Sequence, residues 1–175
     1  YLLHNKLEEY LSEEIIKERV ESLGSEISRK YNDKSPIFIG ILNGSFIFFA
    51  DLVRSININL EVKFLTISSY EGTSSTGRIK FHGQNIDKIK NQDLIVVEDI
   101  VDTGNTIKEL KRMLLKQKPK SIAFAALLMK KNMAKINFNI DWVGFEIPDE
   151  FVVGYGLDFN QKYRNLKGIY KYRGI

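Results

Sequence analysis

With 175 residues, 43% of them hydrophobic, the chain is long enough to bury a core of its own and suits one domain rather than two. Its 26 basic and 22 acidic residues leave a net charge of +4 on a mixed surface, without the basic block expected of a nucleic-acid binder. The lack of cysteine and the presence of only His4 and His82 exclude disulfides, thiol chemistry and a histidine-rich zinc site. No run of about 18 apolar residues is available to cross a membrane as a helix, and the amino-terminal residues carry no signal-peptide pattern. A reducing, cytoplasmic location is therefore expected.

In chain order, residues Ser12 to Tyr31 form the first expected helix. Ser12 is suited to cap it, Glu13 and Glu14 suit its positive end, and Ile15, Ile16, Val20, Leu23 and Ile27 make an apolar stripe. Asn32 to Pro36 breaks the pattern, and Ile37 to Leu42 reads as a buried strand. The short polar loop Asn43-Gly44-Ser45 leads into a strongly apolar helix over Phe46 to Val53. Leu60 to Tyr70 and Arg78 to Phe81 read as two strands of a hairpin. Its tip, Glu71 to Gly77, has no apolar anchor and is expected to be mobile.

The stretch from Leu94 to Thr106 carries the most information. Leu94-Ile95-Val96-Val97 has the continuous apolar character of a strand buried on both faces, and Glu98 and Asp99 follow it. Asp102-Thr103-Gly104 is turn chemistry, and from Thr106 the residues Ile107, Leu110, Met113 and Leu114 recur at helical spacing until Pro119. In an open α/β sheet such a strand, loop and helix set a polar loop at the carboxyl edge, where the helix offers free N–H groups to an anion. Ser121 to Met129 is a further strand. Its alternation brings Lys130 to the edge that carries Asp102, although read alone this is a solvated lysine. Trp142 to Phe145 and Phe151 to Asp158 are two more β-like runs, separated by Ile147 to Glu150. Walker A spacing does not occur, and Gly154-Tyr155-Gly156 lacks the third glycine of a dinucleotide fingerprint.

Glu98-Asp99-Ile100-Val101-Asp102-Thr103-Gly104-Asn105-Thr106 resembles the signature of purine phosphoribosyltransferases of the hypoxanthine-guanine type, which binds phosphoribosyl pyrophosphate. The likeness runs in order from Leu42 to Arg164. It implies an α/β fold, doubly wound, with a mainly parallel sheet flanked by helices and a small hood. The core would span about 12–145, with the hood from the amino-terminal residues and about 146–175. It also implies roles for individual residues. Asp102, Thr103, Gly104, Asn105 and Thr106 would hold the 5′-phosphate, and Glu98 and Asp99 the ribose hydroxyls. Leu42, Asn43, Gly44 and Ser45 would meet the pyrophosphate through a loop in which the Leu42-Asn43 peptide can be cis, and Arg164 would also lie at the pyrophosphate. Lys130 would donate to the 6-oxo group of the purine, Phe151 would stack on the base, and Val152 would read it through its backbone. Ser69 and Tyr70 would begin a flexible loop that closes over the substrates. Asp158, with Glu98 and Asp99 in reach, would hold Mg²⁺. Asn43 and Asn105 depart from relatives that carry lysine there.

The implied chemistry has a physical logic. Backbone N–H groups and the Thr103 and Thr106 hydroxyls can receive a phosphate without burying a charged side chain, and Mg²⁺ suits a departing pyrophosphate. Asp102 is the candidate general base for the purine nitrogen opposite the attacking one. An ammonium at Lys130 can donate to a 6-oxo acceptor and opposes the 6-amino donor of adenine. Adjacent strand residues face opposite ways, so Asp99 is favoured over Glu98 for direct contact with the sugar. The implied partners are phosphoribosyl pyrophosphate, a 6-oxopurine and further copies of the chain in a homodimer or homotetramer. Three rivals stay open at this point: a xanthine-preferring enzyme, a nucleotide-sensing nucleic-acid binder using the lysines of 116–120 and 162–173, and a domain for another phosphorylated compound.

Overall fold

A computed structural model of the chain describes residues 6–69, 79–83 and 86–174. Six strands make the main sheet: β2 (Ile37–Leu42), β3 (Glu61–Ser69), β4 (Ile79–His82), β5 (Asp93–Val101), β6 (Ser121–Lys130) and β7 (Trp142–Ile147), in the order β4-β3-β2-β5-β6-β7. All neighbours are parallel except the β3–β4 hairpin, whose register runs from Thr66 opposite His82 to Ser69 opposite Ile79. Tyr70 and the expected mobile tip at 71–77 lie outside the described residues.

Alternation along the strands decides which helix covers which face. Phe38, Ile95, Val97, Ala123 and Ala125 pack toward α1 (Glu13–Lys30) and α2 (Phe46–Arg54), through Ile16, Val20, Leu23, Ile27, Phe48 and Leu52. Ile37, Ile39, Ile41, Leu94, Val96, Phe124 and Ala126 pack toward α3 (Asn105–Leu115), through Ile107, Leu110 and Leu114. The sheet is thus doubly wound, and each large apolar side chain it buries contributes about 1.5–3 kcal/mol. Ser12 caps α1 as its residue type implies, accepting from the Ile15 N–H at 3.3 Å. Alternation breaks at Leu128, which joins Leu127 in the α1/α2 cluster, so the face on which Lys130 emerges does not follow from counting by twos.

A second sheet of three antiparallel strands, in the order β1-β9-β8, forms the hood from β1 (Leu7–Leu11), β8 (Val152–Val153) and β9 (Ile169–Tyr172). The run Phe151 to Asp158 is therefore only partly a strand. Gly154, Tyr155 and Gly156 take φ of 99°, 51° and 100°, which curls the chain out of the sheet directly after Val153. Among the described residues no helix is long and apolar enough to cross a membrane.

Candidate active site

The carboxyl end of β5 runs straight into a cradle. Gly104, at φ 87°, occupies the N-cap of α3, where its reversal of the backbone starts the helix. A β-carbon at this position would lie 2.4 Å from the Ile136 side chain, so the turn is closed on its outer side. The first N–H groups of α3 have no intrahelical acceptor. Among the described residues the Asn105 N–H reaches only the Thr103 hydroxyl, at 3.4 Å. A cavity of about 290 Å³ faces this turn, lined by Ile67 and by every residue from Glu98 to Ile107. Asp102 to Thr106 thus surround a space of the right chemistry for a phosphate, with the helix end aimed into it. A wider cleft of about 470 Å³ between α1, α2 and residues 155–167 holds none of the expected site residues.

The two acids before the turn part company. Glu98 continues the Leu94 and Val96 side of β5; it is 5% exposed and its Oε1 is buried without a hydrogen-bond partner among the described residues. Burial, with the charge of Asp99 beside it, raises its pKa well above the ordinary carboxyl value. Asp99 continues the Ile95 and Val97 side and accepts from the Ile100 N–H at 2.8 Å. Burial pushes its pKa up to about 6, with Asp158 adding to the rise and backbone hydrogen bonds and Arg164 opposing it. An acid whose pKa is raised on folding stabilises the native state below its unfolded value near 3.8, and that contribution is lost as pH climbs through about 6. Without divalent cations, Asp99→Asn is expected to melt higher than the parent chain at pH 8, with the difference vanishing near pH 3.5. Equal melting temperatures at pH 8 would remove the buried acid as a source of strain.

Asp99 touches the next loop. The Leu42-Asn43 peptide is cis, and a β-carbon on Gly44 would lie 1.8 Å from the Asp99 Oδ2. Only glycine allows that approach. Ser45 is fully buried and donates its hydroxyl to the Ile41 carbonyl at 2.6 Å, so its side chain is committed to the protein. Against the same loop lies the segment curled out of the hood: a β-carbon on Gly156 would come within 2.3 Å of the Gly44 carbonyl. That segment carries Arg164, which donates to the Gly156 carbonyl at 2.7 Å and to Gln161 Oε1 at 3.0 Å, and stands 3.4 Å from Asp158. Asp158 also accepts from the Gln161 N–H at 2.8 Å. Gly44, Asp99, Asp158 and Arg164 therefore meet in one place.

On the hood side, Lys130 Nζ donates to Asp102 Oδ2 at 3.2 Å and to Asp149 Oδ1 at 3.0 Å. Burial alone would lower the lysine pKa; the hydrogen bonds and charges of Asp149 and Asp102 outweigh it and raise it, so the ammonium stays charged. Phe151 is 42% exposed, its ring supported edge-on by Phe159 and Tyr172 at centroid distances of 5.8 and 6.1 Å. Its carbonyl accepts from the Tyr172 N–H at 2.9 Å. By alternation, this turns the N–H and C=O of the following Val152 away from β9.

The cradle, the lysine, the aromatic platform and the loop around Arg164 thus share the carboxyl edge of the sheet. Of the expected site residues only Tyr70, and the side chain of Ser69, are outside the description. Sequence reading missed Asp149, treated there only as part of a separator, and the hydrogen bond from Tyr155 to Asp51 at 2.5 Å that ties the curled segment to α2. No local spacing signals either contact, since the partners lie 19 and 104 residues apart.

Residues 6–160 match the family model described as phosphoribosyl transferase domain. The chain is 40% identical over 172 residues to hypoxanthine phosphoribosyltransferase of Escherichia coli K12, covering 97% of each chain. It is 45% identical over 167 residues to the hypoxanthine-guanine phosphoribosyltransferase of Aquifex aeolicus, covering 94% of each. A crystal structure of a hypoxanthine phosphoribosyltransferase from Staphylococcus aureus superposes with a TM-score of 0.90 at 39% identity, covering 98% of this chain and 95% of that one.

Proposed function

The chain belongs to the family of hypoxanthine and hypoxanthine-guanine phosphoribosyltransferases, and from this premise we propose that it salvages free 6-oxopurines. In this reaction the phosphoribosyl group of 5-phosphoribosyl 1-pyrophosphate moves to N9 of hypoxanthine or guanine, giving IMP or GMP and pyrophosphate. The observation that carries the reading is the contact between Lys130 and Asp102, 3.2 Å apart at the rim of the phosphate cradle. On this reading a donor for a 6-oxo group stands beside a carboxylate able to take a purine proton.

The steps follow from the residues. Asp102 to Thr106 hold the 5′-phosphate with backbone donors, Asp99 meets the ribose hydroxyls with Glu98 buried on the other side of the strand, and the loop at Leu42 to Ser45 with Arg164 receives the pyrophosphate. The base lies on Phe151 with its 6-oxo group on Lys130, and Val152 reads its far edge through the backbone. As N9 bonds the anomeric carbon and the bond to pyrophosphate breaks, Asp102 takes or holds the proton on the opposite purine nitrogen.

Magnesium fits the same reading. Among the described residues no three ligating side chains gather as a metal cage, whereas Mg²⁺ is commonly held by one or two carboxylates with substrate oxygens and water. Asp158 and Asp99, both beside Arg164, would hold it, with Glu98 behind them; when bound it neutralises charge on the leaving pyrophosphate. For assembly as a homodimer or homotetramer, Phe46, Val62 and Phe64 on α2 and β3, each more than 40% exposed, offer apolar surface. A spectrophotometric assay of hypoxanthine, guanine, xanthine and adenine, with and without Mg²⁺, tests the proposal. Turnover of the first two with little or none of adenine is expected. No turnover of any 6-oxopurine would end it.

A further inference from the structure

Two neighbouring acids join the two halves of the base pocket. Lys130 is 8% exposed, and of the three N–H groups of its ammonium one goes to Asp102 and one to Asp149, whose side chain is 62% exposed. The next residue, Glu150, faces the opposite way: its carboxylate stands 3.4 Å from Lys171 and 3.3 Å from Arg173, at the end of the hood sheet. Phe151 follows directly, and its carbonyl is bound to β9 through Tyr172. The segment therefore has one acid fastened to the core sheet and the next to the hood, and the aromatic platform comes immediately after them.

We propose that Asp149 is a positioning residue for base recognition: it shares the Lys130 ammonium with Asp102, leaving the third N–H for the 6-oxo group, and sets the spacing between that donor and the Phe151 ring. The proposal rests on the reading of the protein as a hypoxanthine transferase. Its physical basis is competition. A lysine with a single carboxylate partner folds its donors onto that partner; a second partner on the hood side draws the ammonium out over the base. Without Asp149 the ammonium closes on Asp102, which both withdraws the donor from the purine and occupies the carboxylate that must meet the purine proton. The 5′-phosphate cradle, built from backbone donors at the other end of Asp102 to Thr106, is untouched.

The test uses the full chain with phosphoribosyl pyrophosphate, Mg²⁺ and hypoxanthine. The parent protein is assayed first, because absence of turnover there refutes the transferase reading and not the role of Asp149. Asp149→Ala is expected to raise the hypoxanthine KM by about tenfold, the scale of one hydrogen bond to a charged group, with the KM for phosphoribosyl pyrophosphate within about twofold and the melting temperature unchanged. Asp149→Glu is expected to recover part of the loss. Asp149→Asn keeps the shape and carries the same test if the alanine variant does not fold; it should give a smaller rise in the same KM alone. An unchanged hypoxanthine KM, or equal rises in both KM values as general loosening would give, overturns the proposal.

Discussion

Replacing Asp102 by asparagine is expected to lower turnover of hypoxanthine by roughly two to four orders of magnitude, the usual scale for a positioned acid-base group. Binding of the sugar donor should survive. Asparagine keeps the outline of the side chain and still accepts a hydrogen bond, but it does not accept a proton. The phosphate cradle depends on Gly104 at φ 87° and on the opening N–H groups of α3, none of which the change disturbs. The diagnostic result is a division: thermal stabilisation of the variant by phosphoribosyl pyrophosphate close to that of the parent, with single-turnover chemistry slowed. Near-normal turnover would take Asp102 out of the role of base. Loss of donor-induced stabilisation would mean that its side chain shapes the cradle.

Replacing Lys130 by methionine acts on a different quantity. Methionine fills a similar volume without charge or donor, so a 6-oxo group entering the pocket loses a hydrogen bond to a charged group, which contributes about 1.5–3 kcal/mol. A fall of roughly ten- to hundredfold in kcat/KM for hypoxanthine and guanine is expected. Adenine should gain relative to them, because the donor-to-donor opposition proposed to disfavour it would be gone. Asp102 and Asp149 also lose their shared cation. Both are at least half exposed on their side chains, so solvent limits the cost of their new repulsion. The measurement is the ratio of kcat/KM for hypoxanthine to that for adenine in parent and variant. An unaltered ratio would show that base choice lies elsewhere.

The parts legible in the sequence are those whose determinants are local. Leu94 to Val97 could be read as a buried strand, Gly104 as the turn and Ile107, Leu110 and Leu114 as the buried stripe, because each signal lies within one or two turns of chain. The motif on that same stretch holds Asp102, Thr103 and Thr106, which line one cavity at the turn. Lys130 was brought to the right edge, but counting by twos does not carry to the end of β6, where Leu127 and Leu128 enter the same cluster. Val152 to Asp158 has the composition of a strand, yet positive φ at three successive residues ends it after Val153. β1 and β9 are short, and β1 exists only because β9 is there, more than 150 residues away. The partnership of Asp149 with Lys130 depends on where the hood docks, which no local pattern records.

β9 is the middle strand of the hood, with β8 on one side and β1, from the opposite part of the chain, on the other. The cradle closes within a few residues, whereas the sheet that carries the aromatic platform is completed only by pairing between residues 7–11 and 169–172, a loop closure with a large entropic penalty. The two ends of the substrate site therefore differ in resistance to opening. In hydrogen exchange the amides of β8 and β9 should open well before those of β5, letting a nucleobase enter and leave while the sugar phosphate keeps its seat.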